Sequence, residues 1–285
     1  MIEKNVFIGS IRVNMFFDKD DIYQDDDYFT LYETAKNDLK HCFKIYVMEK
    51  DLNVNLQKEI YKSKLLRILD NEKFTCIENS ANARCIYYKT YYEKETNIAY
   101  IIYDRSFGMK DKVSILSSSQ FIYAFLFFIQ HKNYLILHSN LTKGNSGLLF
   151  CGESGRGKTT ISRLFDKNGF KIITDETVLI EIDDKKIIGY GTPWAGREHL
   201  YYHNDSAEIN SLFVIEHSPE NIIKAEGKNF FANYLLKQSY PFFYISKSVA
   251  FQYSKIQKIL SMLKNYYVLG FVPDSSVCTF IEEYL

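Results

Sequence analysis

The chain has 285 residues, with 35 Lys plus Arg balanced by 35 Asp plus Glu. No global field therefore draws it to nucleic acid or to an anionic membrane, and neither partner is expected. With 23 Tyr and 22 Phe against 4 Pro and 13 Gly, the composition is that of an ordered chain that buries large aromatic areas, without low-complexity linkers.

Residues 1–115 alternate short aromatic and β-branched runs with polar turns. The runs at Val6–Ile8, Phe43–Val47, Cys85–Tyr88 and Ile98–Tyr103 read as strands of a mostly antiparallel sheet. Turns fall at Gly9, Asp51-Leu52-Asn53 and Lys94–Asn97, and the spacing allows a helix near Leu56–Ile68. From Ser117 to Gln130 the pattern is helical and very apolar, and the join between two halves is placed there. Its core, Phe121–Ile129, is too short for the roughly 20 residues a membrane span needs.

The second half alternates in an α/β manner. Strands are predicted at Tyr134–Leu137, Ser146–Cys151, Phe170–Ile173, Leu212–Ile215 and Tyr266–Phe271, with a hairpin joining Val178–Ile182 to Lys186–Tyr190 through Asp183-Asp184. Helices are predicted over 160–168, 228–239 and 247–265, with a short terminal one. Five cysteines, odd in number and without a C-x-x-C pair, argue against a disulfide framework or a zinc site. The start, Met1-Ile2-Glu3-Lys4-Asn5, lacks the plan of a signal peptide. The expected setting is the cytoplasm.

Residues Gly152-Glu153-Ser154-Gly155-Arg156-Gly157-Lys158-Thr159 match the phosphate-loop pattern G-x-x-x-x-G-K-[ST]. Glycines let backbone N–H groups converge on phosphate oxygens. Lys158 can reach the β- and γ-phosphates, the Thr159 hydroxyl can ligate Mg²⁺, and the helix opening at Thr159-Thr160 points its positive end at the site. The apolar strand before the loop and the amphipathic Ile161, Leu164, Phe165 after it supply the context the motif requires, and Gly169 stands where a helix-ending left-handed residue belongs.

One helix and one strand later comes Asp175-Glu176. In-line phosphoryl transfer needs a carboxylate to orient or deprotonate the acceptor and oxygen ligands for Mg²⁺. An Asp in that place can instead simply cap the next turn.

On these residues the chain resembles the HPr kinase/phosphorylase family. There the phosphate loop is followed after one helix and one strand by an Asp-Asp pair, with the spacing seen here from Lys158 to Asp175 and a helix-ending glycine at the place of Gly169. A family histidine on the strand before the loop has its counterpart near His138. The stretches Tyr190–Gly196 and Phe271–Val277 look closer still to a divergent branch, the HPr-kinase-like proteins of peptide natural-product clusters, believed to phosphorylate serine on precursor peptides. The resemblance covers about residues 133–285.

It implies an α/β (overall α+β) fold: a catalytic domain of the HPr kinase/PEP carboxykinase-like type at 131–285, preceded by a β-rich region at 1–130. It further implies an ATP- and Mg²⁺-dependent kinase acting on a serine of a peptide or small protein, with Lys158 on the β- and γ-phosphates and Asp175 as general base. Thr159, Asp175 and Glu176 would hold Mg²⁺, and His138 would contact the transferred group or the base. Family kinases often assemble, so a homo-oligomer is compatible with the resemblance. The chain departs from the pattern in carrying Glu176 for the second Asp, Thr159-Thr160 for the common Ser-Glu, and no E-x-R-G-x-G signature; Arg197-Glu198 supplies similar chemistry in another order. A nucleotide-binding regulatory module without transferase activity, and a kinase of free serine or a related hydroxyl compound, are the alternative readings.

Of the remaining candidates, Arg156 lies within the loop and so near phosphate, whereas Arg197 could neutralise transition-state charge or stand on the surface. Trp194 could line an acceptor pocket or anchor packing. The acidic run Asp18–Asp27 fails the EF-hand pattern, with Ile22, Tyr23 and Phe29 at key positions, and reads as a solvated loop that at most attracts a basic peptide. His199, His203 and His217 show no metal-like spacing, and Cys151 reads as a buried apolar residue.

Overall fold

The computed structural model describes residues 1–18, 27–35, 38–64, 66–80, 87–103, 118–194, 201, 203–240 and 246–285. It is a mixed α/β structure with two large sheets and, among the described residues, six helices. The chain divides into two compact units, one over Met1–Lys132 and one over Asn133–Pro241 with Lys247–Leu285. Among the described residues no helix is long and apolar enough to cross a membrane.

The first unit carries β1 (Ile2–Ile8), β2 (Ile11–Phe17), α1 (Asp27–Tyr32), β3 (His41–Met48), β4 (Lys58–Lys62), β5 (Leu66–Asp70), β6 (Phe74–Ser80), β7 (Tyr87–Glu93), β8 (Ile98–Tyr103) and α2 (Ser119–Ile129). Its sheet runs β1-β2-β3-β8-β7-β6-β5-β4, antiparallel except for the pairs of β3 with β2 and β8. Strand alternation sends Val13, Met15, Phe43, Ile45, Val47 and Ile101 into the core. Ser118 caps α2 by accepting the Phe121 N–H at 3.2 Å. The helix is apolar nearly all round, as a buried helix must be, and stacks Phe128 on Phe43 at 4.4 Å and Phe127 on Tyr92 at 5.5 Å.

The spacing over Leu56–Ile68 is overruled here: its described residues include Lys58–Lys62 of β4 and the start of β5 at Leu66, a hairpin and not a helix. Ser63 makes the turn, its N–H donating to Leu66 O and its hydroxyl accepting the Leu66 N–H, the local competition by which serine breaks helices. The strand pairing of β5 with β6 then holds what propensity alone would not. The acidic run lies largely outside the described residues. Its first residue, Asp18, accepts hydrogen bonds from Glu49 N–H and the Tyr103 hydroxyl.

The second unit carries β9 (Tyr134–Lys143), β10 (Gly147–Cys151), α3 (Lys158–Lys167), β11 (Lys171–Thr174), β12 (Thr177–Ile182), β13 (Ile187–Gly191), β14 (Ser206–His217), β15 (Ile222–Lys224), α4 (Lys228–Gln238), α5 (Ser246–Met262), β16 (Asn265–Phe271) and α6 (Ser276–Tyr284). Two long strands are shared along their length. The first half of β9 pairs with β12 and its second half with β10 and β11. The start of β14 pairs with β13, and the rest lies parallel to both β10 and β16.

The parallel strands β10, β14 and β16 are buried on both faces, which is why they read in sequence as unbroken apolar runs. Leu148 and Phe150 face one core with Ile161 and Phe165 of α3 and Val277 and Ile281 of α6. Leu149 and Cys151 face the other with Phe231 and Leu235 of α4 and Ile256 and Ile259 of α5. Phe150 meets Phe165 of α3 at 5.2 Å, which seats the helix on the sheet, and stacks on Phe213 of β14 at 5.4 Å; each contact adds about 0.5–1.5 kcal/mol beyond its buried area. The helix ends as its glycine predicts: Gly169 has φ +84°, and Phe170 N–H reaches back to Phe165 O at 3.0 Å.

Candidate active site

The segment Gly152–Gly157 leaves the carboxyl end of β10 and enters α3 at Lys158. The neighbouring parallel strands end at the same edge, at His217 of β14 and Phe271 of β16, so the loop stands over the carboxyl ends of three parallel strands. That is the edge at which open α/β sheets hold ligands. Gly155 and Gly157 have φ of +82° and +100°, a backbone that other residues adopt only at a cost. A Cβ on Gly157 would lie 2.8 Å from the buried Phe271 ring, whereas a Cβ on Gly155 would meet nothing within 4 Å. Gly157→Ala should therefore destabilise by about 2–4 kcal/mol, combining left-handed strain with overpacking, and Gly155→Ala by about 1 kcal/mol from strain alone. Urea unfolding of the two variants measures this, and equal losses would show that the seat on Phe271 contributes nothing.

Register explains what gathers beside the loop. Cys151 pairs with Ser139, and the preceding residue His138 pairs with Thr177. This places the turn Thr174-Asp175-Glu176-Thr177, which joins β11 to β12, at the same sheet edge. Thr174 Oγ1 accepts the N–H groups of Glu176 and Thr177 at 3.4 and 3.5 Å, and Ser139 N–H donates to Glu176 O at 2.9 Å. The turn thus has its own capping hydroxyl in Thr174.

Lys158 is 7% exposed and donates from Nζ to Gly152 O at 2.7 Å. Burial pushes its ammonium below the usual lysine range, while Glu176, Cys151 and Asp175 pull in the opposite sense. Asp175 is 2% exposed, and Glu176 is half-buried. His138 Nδ1 lies 3.2 Å from Glu176 Oε1. Burial, helped by the charge on Lys158, brings His138 down to about 4. Its ring is neutral at physiological pH, so the approach to Glu176 is not an ion pair.

Of the residues predicted from sequence, His138, Lys158, Asp175 and Glu176 come together at this edge. Thr159 and Thr160 are half-buried in the first turn of α3, and Glu153, Ser154, Gly155 and Arg156 are exposed. Trp194 is 5% exposed. Arg197 and His199 lie outside the described residues.

No family model matches the chain, and no curated protein matches it. Among solved structures, the chain is similar to the Hpr(Ser) kinase/phosphatase from Coxiella burnetii, at 11% identity and a TM-score of 0.32, over 52% of this chain and 95% of that one.

Three features of the site are not visible in the motif. A buried polar chain runs from Thr142 Oγ1 to Asn140 Oδ1 at 3.0 Å, from Asn140 Nδ2 to Ser162 Oγ, and from Ser162 Oγ to Lys158 O at 3.0 Å, fixing the first turn of α3 against β9. The Glu153 N–H donates to the hydroxyl of Tyr234 on α4 at 3.1 Å. His217 Nε2 lies 3.0 Å from Gly155 O, holding the loop's apex to the end of β14. Polar residues inside an otherwise apolar strand and helix were the signal for the first; nothing local marks the other two.

Proposed function

We propose that the chain is an ATP- and Mg²⁺-dependent kinase that transfers the γ-phosphoryl group to a serine hydroxyl of a peptide or small protein, with 131–285 as its catalytic domain and 1–130 as a β-rich N-terminal region. The observation that carries the reading is the convergence, at the carboxyl edge of three parallel strands, of the glycine loop, a buried Lys158 and the acidic turn Asp175-Glu176.

The donor set fits the ligands. Gly157 opens α3 without a side-chain cap, which leaves the helix's first N–H groups for phosphate oxygens. The Thr159 hydroxyl and the carboxylates of Asp175 and Glu176 are hard oxygen donors of the kind Mg²⁺ takes. Among the described residues no three His, Cys, Asp or Glu side chains form a metal cage of their own. Mg²⁺ is commonly held by one or two carboxylates together with substrate phosphates. Bound Mg²⁺–ATP would supply the transferable phosphoryl group and the cation that neutralises it.

The residues then divide the work. Lys158 exchanges its bond to Gly152 O for phosphate oxygens, at little reorganisation because the side chain is already confined. Asp175 accepts the proton of the acceptor hydroxyl as that oxygen attacks. His138, neutral and with Nδ1 3.2 Å from Glu176 Oε1, stands where it can orient that carboxylate as a metal ligand. Arg156 and Arg197 are the cations proposed to neutralise charge on the transferring group.

The test is transfer from γ-labelled ATP to serine-containing peptides, with the purified full chain. Label on serine that depends on both Mg²⁺ and peptide is expected, and chelation of Mg²⁺ should abolish it. ATP binding without acceptor-dependent turnover would make the protein a nucleotide-binding regulatory module. Labelling of free serine would make it a small-metabolite kinase.

A further inference from the structure

We propose that Phe230 and Tyr234 of α4 form a stacking platform for the nucleobase of the bound nucleotide, an inference that rests on the reading above. Tyr234 reaches the glycine loop directly, its hydroxyl accepting the N–H of Glu153 at 3.1 Å. Phe230 lies one helical turn earlier, on the same face as residues four apart must be. The two rings are stacked, with centroids 6.0 Å apart and planes at 26°. An aromatic surface therefore begins at the second residue of the loop and leads away from it.

The platform is held in place. Phe231 is fully buried and packs edge-on against Tyr266 at 4.9 Å, anchoring α4 in the core. Phe230 meets the Phe231 ring edge-on at 5.2 Å and 86°, yet remains 39% exposed itself. The outward ring is thus fixed by the inward one and still offers area to a ligand. A flat, rigid aromatic face beside a phosphate loop suits a purine or pyrimidine ring, because every base has a π-face and stacking tolerates any of them. In a nucleotide the base is separated from the β-phosphate by a ribose and a phosphate, so a platform for it belongs beside a phosphate loop and not within it.

The experiment compares Mg²⁺–ATP with Mg²⁺–tripolyphosphate, which has phosphates but no base, by titration calorimetry on the full chain. Phe230→Ala should weaken ATP roughly tenfold and change tripolyphosphate by no more than about twofold, and Phe230→Trp should restore ATP binding. A Phe230→Ala variant that leaves ATP affinity intact, or weakens both ligands alike, would overturn the platform. So would a wild-type protein that binds tripolyphosphate as tightly as ATP, and in that case the nucleotide-loop reading survives. Wild-type protein that binds neither ligand overturns that reading, and the platform with it.

Discussion

Asp175→Asn should lower phosphoryl transfer by about 10²–10⁴-fold, the usual contribution of a positioned general base. The amide matches the carboxylate in shape but cannot take a proton, so the loss should appear in kcat, with ATP affinity changed by less than about tenfold. The alternative view of this residue, a turn cap, predicts something else: lost stability with chemistry intact. The turn already has its cap in Thr174 Oγ1, which accepts from Glu176 and Thr177. Asp175 sits within that turn at 2% exposure, in the field of Lys158. Glu176→Gln provides the contrast: it should raise the Mg²⁺ concentration needed for half-maximal rate, and excess Mg²⁺ should recover much of the rate. Full transfer activity in Asp175→Asn would remove this residue as the base.

The parts of the molecule legible in sequence are those whose causes are local. The loop's glycines sit at positive φ because no other residue does so cheaply at 155 and 157, and the same holds for Gly169 at the end of α3. The hairpin of β12 and β13 and the apolar helix α2 follow from short-range turn chemistry and periodicity. What stayed hidden depends on partners far along the chain. Leu56–Ile68 carries a spacing compatible with a helix, and only the pairing of β5 with β6 decides for strands. Tyr234 and His217 touch the loop from 81 and 62 residues away, and no spacing rule links them to it. His138 was legible as a residue near the loop, but its approach to Glu176 arises from the register that sets His138 opposite Thr177. The candidate site is therefore half motif and half sheet topology.

Lys158→Met should cut turnover by roughly 10²–10³-fold and sharply weaken ATP binding, as expected when one charged contact to a transferring phosphoryl group is lost. The same change should leave thermal unfolding nearly unmoved. Two effects oppose each other in the protein without nucleotide. The lysine makes a charge-assisted hydrogen bond to Gly152 O at 2.7 Å and favours the nearby carboxylates. Against this, an ammonium at 7% exposure has given up most of its hydration, as its depressed pKa records. Methionine has nearly the shape of the lysine stem and none of the desolvation penalty, so stability should change by no more than about 1 kcal/mol. Lys158→Arg sharpens the point. It keeps the charge but brings a planar fork into a space that fits a single nitrogen against one carbonyl, so it should fail to restore turnover. If Lys158→Met instead binds ATP as tightly as wild type, the lysine only closes the loop on itself, and the phosphate-binding role falls. If Lys158→Arg is fully active, the confinement inferred from its burial is wrong.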